Sequence, residues 1–382
     1  MLKRKKREDR NSNYELMRIV SMFMIVLWHF LIHSKITENT TGIIHIILNL
    51  VMVILVIHVN SFILVMGYHQ CEKKIKVTKV ISLIGEIWFY RVAIAVVLSL
   101  TGLISLGKLE IMNLMFPFGI DGDYWFLNTY IILYCFSPYI NRLIRSMSQR
   151  QYKRLLCLLF LFYSIFSTIT MQHVFFNNSG YSITNFIFLY LIGGYFKLYP
   201  IEKSHFFKQS SLKMRQLIFL SGFLGLGFVN FLCWNLANVL KLLGPIAEQF
   251  GVILEQAIFV YDNPLVMLQS VCYFLWFGTF AFHNKWVNRL AALTLGVYLI
   301  QENKYLSEIL YGWVGHIMNP EVVFYRVIPE VLLISVIFFL GCLIIEWLRQ
   351  IIFQFVANRK RITAFRQKIK NWVANLGIQV SW

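Results

Sequence analysis

The sequence predicts an all-α, polytopic integral membrane protein of about ten spanning helices with both termini cytosolic, and three observations carry that reading. Hydrophobic residues make up 58% of the 382 and charged residues only 14%, with a mean hydropathy of +0.62, a balance that a water-soluble domain does not reach. Apolar runs long enough to cross about 30 Å of hydrocarbon recur down the chain. Between them the basic residues collect in alternate gaps, as the positive-inside rule requires of a chain whose termini share one side.

Residues 1–13 form a basic leader suited to the anionic cytosolic leaflet. The first span is 16–34, and with no Ala-x-Ala-like cleavage site after it, it reads as a retained helix rather than a signal peptide. Span two (43–68) precedes Lys73, Lys74, Lys76 and Lys79. Span three (80–104) precedes the gap 105–123, where Gly119-Ile120-Asp121-Gly122-Asp123 is turn-rich and basic residues are scarce. Span four (124–144) leads to Arg142, Arg145, Arg150, Lys153 and Arg154. Spans five (155–171) and six (183–199) lead to Lys197, Lys203, Lys208, Lys213 and Arg215. After span seven (216–240) the gap 241–263, with Gly244-Pro245 and Asn263-Pro264, predicts a short helix lying over the bundle. Span eight (264–282) precedes Lys285 and Arg289, span nine (287–303) is interrupted by Gln301-Glu302-Asn303-Lys304, and span ten is 322–348. The membrane domain is thus 14–348. In the tail, 349–382, Ile362, Phe365, Ile369, Trp372 and Leu376 recur at spacings of three and four with basic residues elsewhere, which reads as an amphipathic helix flat on the inner leaflet or a partner-binding helix.

This placement explains the net charge of +18 as membrane topology, so no nucleic-acid partner is expected; the partner is the lipid bilayer. Six cysteines, at 71, 135, 157, 233, 272 and 342, show neither paired nor metal-ligand spacing and read as small core residues.

Within the first span, Arg18 and His29 are eleven positions apart. That is about three helical turns, so both share a face with the imidazole roughly 16 Å deeper than the guanidinium. An ionisable group at that depth is a functional candidate. Burial keeps an imidazole neutral, the state of a general base, and a guanidinium fork suits a phosphate. His29 alone is equally readable as a hydrogen-bonded core histidine, and Arg18 as an ordinary flanking arginine. His33 shares the His29 face, but no glutamate follows His29 as a zinc motif requires, so no metal is expected. His45, Asn49, His58, Asn60 and Ser61 polarise span two in the manner of interhelical hydrogen bonds. Glu86 and Arg91, five residues apart, do not stack on one face; an ion pair or separate partners on other helices are both open. Trp125, Tyr130 and Tyr134 fit an aromatic belt, and Trp125 equally a sugar contact. Glu302 is either an acceptor-binding acid or a residue facing water.

Taken with Tyr14-Glu15-Leu16, the Arg18–His29 spacing resembles the first helix of the membrane-bound acyltransferase 3 family, which O-acylates cell-surface glycans. Four further stretches resemble the same family in order: Val59 to Gly67-Tyr68, Tyr124-Trp125-Phe126 to Asn141 through Pro138, Tyr190-Leu191-Ile192-Gly193-Gly194, and Leu295-Gly296-Val297-Tyr298-Leu299-Ile300. The resemblance spans about residues 14–345. It implies a cytosolic acyl-CoA donor, acetyl-CoA above all, an acceptor hydroxyl on an extracytoplasmic polysaccharide or its lipid-linked precursor, and a catalytic base at His29 with Arg18 near the donor phosphates. Many relatives carry Arg-x-x-Arg at the start of the third helix; here only Arg91 is present, as a candidate phosphate contact. Met66 replaces a common serine, and Gln301 stands where relatives often have histidine. Direct attack by the deprotonated hydroxyl and an acyl-histidine relay are both open. The rival class is a transporter or exporter of a glycan or small anion, for which the sequence offers neither an inverted repeat nor paired Gly/Pro-broken helices. Phe and Lys richness points to an AT-rich bacterial genome and so to the cytoplasmic membrane.

Overall fold

A computed structural model describes residues 11–118, 123–170, 178–318 and 326–357, and every regular element among them is helical. Most of the basic leader, the turn residues 119–122 and the proposed amphipathic segment from 358 onward lie outside the described residues. Six stretches are long and apolar enough to cross a membrane: α1 (Asn13–His33), the pair α2 (Gly42–Leu55) and α3 (His58–Gln70) taken together, α4 (Val77–Leu100), α7 (Gln149–Thr170), α9 (Leu212–Leu240) and α15 (Val327–Ala357). Between them come α5 (Lys108–Leu114), α6 (Trp125–Ser146), α8 (Ile183–Leu198), α10 (Pro245–Ile258) and α11 (Pro264–Gly278). The ninth expected span is not one helix but two, α12 (Lys285–Ala291) and α13 (Thr294–Gln301), followed by α14 (Lys304–Ile317). The short helix expected in 241–263 is α10, packed on α9. At the far end α15 runs without a break past the boundary placed at 348.

Helix α1 is the hub, packing against α2, α3, α11, α12, α13 and α15. Span two breaks at Val56–Ile57, where neither Gly nor Pro announces it. A break inside the bundle strands backbone carbonyls that lipid cannot hydrate, and polar side chains take them up. His58 Nδ1 lies 2.7 Å from Leu55 O, and Gln269 Nε2 donates to Val53 O at 3.1 Å. Asn60 and Asn230 donate to Tyr261 O and Ile258 O, at 2.9 and 3.0 Å, where α10 ends and the chain turns toward α11. Of the polar residues of span two, His58 is thus the backbone partner of the broken helix itself, while Asn60 bonds a carbonyl of a distant connection.

Two of the glycine-bearing motifs meet each other. A Cβ on Gly67 of α3 would collide with the Tyr190 carbonyl of α8, and one on Gly193 of α8 with the Leu64 carbonyl of α3. Only glycine lets the two backbones approach so closely, the small-residue packing that membrane helices use in place of a hydrophobic driving force.

Glu86 and Arg91 go separate ways. Glu86 Oε1 meets Arg349 Nη2 of α15 at 3.0 Å, while Arg349 forks onto Glu346 with two bonds of 2.6 Å. Tyr90 Oη and Gln350 Nε2 each donate to Glu346 at 2.7 Å, so a fully buried carboxylate is satisfied from three sides. Removing the one cation of this cluster leaves two carboxylates facing each other in a dry interior. Arg349→Met is expected to cost about 3–5 kcal/mol, visible as a lower thermal midpoint in detergent; an unchanged midpoint would mean that the cluster does not hold α4 to α15.

Candidate active site

His29 and Arg18 ride on one face of α1, and what stands opposite His29 comes from the break between α13 and α14. Helix α13 ends at Gln301, and Asn303 starts α14 by accepting from the N–H groups of Tyr305 and Leu306 at 3.1 and 3.3 Å. Glu302 is left on the corner between them. Its Oε1 lies 2.9 Å from His29 Nδ1, and the same oxygen accepts from Tyr311 Oη at 3.3 Å. The corner is fixed from two sides. Gln301 Nε2 donates to Val26 O of α1 at 3.3 Å. Tyr124 Oη, at the start of α6, donates to Leu299 O at 2.8 Å and accepts from Asn303 Nδ2 at 3.1 Å. The polar interruption that made span nine doubtful in the sequence is thus the feature that places a carboxylate against the histidine.

A carboxylate at Nδ1 favours the tautomer protonated there, which leaves the Nε2 lone pair free to accept a proton and stabilises the imidazolium that results. The pair is neither open nor sealed, its side chains being 13% and 20% exposed. The His33 ring, centred 5.1 Å from that of His29 and 5.0 Å from that of Tyr311, continues the polar surface.

Two cavities lie along α1 near this contact. One, of about 340 Å³, is walled by Glu15, Arg18 and Met22 of α1, with Lys79, Tyr134 and Tyr298 among the facing residues. The other, of about 500 Å³, is lined by His33, Glu302, Ser307, Glu308, Tyr311 and Gly312. Along α1 the order is Arg18, Met22, His29, His33, and along the α13 corner Tyr298 is followed one turn later by Glu302. Along α1, His29 thus lies between the stretches that line the two cavities; Glu302 lines the second, and His29 is among the lining residues of neither. Arg18 itself pairs with Glu15, Nη1 to Oε2 at 3.2 Å.

The remaining candidates sit elsewhere. Arg91 is buried, its guanidinium bound to Asp123 Oδ2 at 3.1 Å, to Asn113 Oδ1 at 3.4 Å and to the Phe116 carbonyl. It anchors the connection between α4 and α6 and is not among the residues lining the Arg18 cavity. Trp125 packs against Tyr181, with ring centroids 4.6 Å apart, and stacks on Tyr261 at 6.3 Å, in an aromatic group that also holds His58 through Tyr261 Oη at 3.2 Å. It lines neither cavity. Lys79, Tyr130, Tyr134 and Tyr311 had no role assigned by sequence reasoning beyond flank or belt. The four-residue spacing of Tyr130 and Tyr134, which sets two rings on one helical face, was the signal available.

A family model described as an acyltransferase domain matches residues 11–347. The chain belongs to the acyltransferase 3 family. The match takes in every residue of both cavity walls, and with it the protein is a multi-pass membrane acyltransferase that works on an acyl donor from within a lipid bilayer. Comparison with curated proteins and with solved structures finds no match.

Proposed function

We propose that this acyltransferase moves an acetyl group from acetyl-CoA to a hydroxyl of an extracytoplasmic polysaccharide or its lipid-linked precursor, with His29 as general base. The observation that carries the reading is the 2.9 Å contact of His29 Nδ1 with Glu302, near two cavities of different character. In this reading both termini are cytosolic, the ten apolar segments all contribute to crossing the bilayer, and the Arg18 cavity opens to the cytosol. The donor enters there with its phosphates at the Arg18 end and its thioester toward His29. The acceptor enters through the Glu302 cavity, where a carboxylate, hydroxyls and the Tyr311 ring suit a sugar. His29 Nε2 takes the hydroxyl proton as the alkoxide oxygen attacks the thioester carbonyl; the C–S bond breaks, and the imidazolium returns the proton to the CoA thiolate. Arg91 and Trp125 enter as supports of the α4–α6 connection and of the start of α6.

The test is transfer of label from [14C]acetyl-CoA to a glycan acceptor by the purified protein in proteoliposomes, with donor and acceptor on opposite sides. Labelled glycan that depends on both substrates is the expected result. Movement of a glycan or anion across the bilayer without CoA, and with no labelled product, would replace the reading with that of a transporter.

A further inference from the structure

The Arg18 cavity carries a cation that the mechanism above does not use. Lys79 lies in the first turn of α4. That helix starts where the backbone N–H of Lys76 donates to Tyr134 Oη at 2.9 Å, so its first turn is pinned against α6. Tyr130 and Tyr134, one turn apart on α6, present their rings on one face. Lys79 Nζ sits 4.6 Å from the Tyr134 ring centroid and 5.5 Å from that of Tyr130, and it donates to Tyr130 Oη at 3.3 Å. All three residues line the cavity.

The charge balance of the wall then follows. Arg18 is matched by Glu15 at 3.2 Å, whose side chain is 3% exposed, so their charges largely cancel. Among the described residues no carboxylate pairs with Lys79. Tyrosine faces hold an ammonium by its attraction to the ring quadrupole without neutralising it, and at the mouth of a cavity such a cation is free to meet an anion. A lysine at a helix start beside a membrane needs no special reason, but a flanking lysine has no need of a two-ring platform on the wall of a cavity.

We infer that Lys79, held by Tyr130 and Tyr134, is the seat of a phosphate of the donor and the main positive charge that the cavity offers it. This deepens the donor half of the function proposed above and rests on it. Lys79 is a binding residue; no bond is made or broken at Nζ.

The test is binding of CoA to the purified protein in nanodiscs, measured by titration at low and high salt for the wild type, Lys79→Gln and Lys79→Arg, with acetyl transfer assayed alongside. Lys79→Gln is expected to weaken CoA binding about tenfold at low salt, Lys79→Arg to restore most of it, and the wild-type affinity to fall more steeply with salt than that of Lys79→Gln. Equal affinity in wild type and Lys79→Gln overturns the inference. So does a loss that arginine does not rescue and salt does not change, since that is the mark of a packing role. A wild type that binds CoA through Lys79 yet transfers no acetyl group counts against the proposed reaction and leaves this inference standing, whereas a wild type that binds no CoA overturns the inference.

Discussion

Acetyl transfer by His29→Ala is expected to fall about 10²–10⁴-fold, while the protein still inserts, folds and binds CoA. General-base catalysis by a positioned imidazole is worth roughly 10²–10⁴-fold, and among the described residues no second base is as well placed between the two lining stretches of α1: His33 lies one turn farther along α1, on the Glu302 side, and has no carboxylate within ion-pair distance. The loss should fall on kcat, because Arg18 and Lys79, which would meet the donor, line the other cavity. A single-turnover assay with saturating acetyl-CoA makes the measurement. If His29→Ala transferred acetyl at the wild-type rate, the base would have to be sought elsewhere.

The second large effect concerns the acid behind the base. Glu302→Gln keeps the size and much of the hydrogen-bonding reach of the side chain but removes its charge. It can no longer stabilise an imidazolium, and its amide can present an N–H to Nδ1 and so favour the wrong tautomer. In a triad of this kind the equivalent change costs about 10⁴-fold in kcat; with Glu302 partly exposed and shared with Tyr311, a loss of about 10²–10³-fold is expected here. Glu302→Asp, which retains the charge on a shorter arm, should lose less. A KM for the glycan acceptor that rose in Glu302→Gln while kcat stayed constant would move this residue from the base to the substrate-binding wall.

Much of this architecture is legible in the sequence, and the reasons are physical. Apolar length is a property of a chain threading hydrocarbon, so the helical class and the six long apolar stretches are readable residue by residue. The Arg18–His29 spacing is legible because a single straight helix, α1, carries both. What depends on contact between distant segments is not. Glu302 stands out only as a polar interruption; that the interruption turns a corner and sets a carboxylate on His29 requires α13 to dock on α1 through Gln301 and Val26, a pairing that local pattern does not encode. Arg91 reads either as a structural ion-pair residue or as a phosphate contact, and its partners here are Asp123, Asn113 and a backbone carbonyl, all on a connection whose path no periodicity describes. The break at Val56–Ile57 is silent because Gln269, which compensates it alongside the adjacent His58, comes from a helix far away in sequence.

The short helices have a consequence for what lipid can meet. With 16 and 15 residues, α8 and α11 rise only about 24 and 22 Å, against a hydrocarbon slab of roughly 30 Å. No residue of α8 and only Leu268 of α11 is exposed, so longer neighbours such as α9 and α15 present the apolar belt, and the shortness of the inner pair calls for no thinning of the bilayer outside.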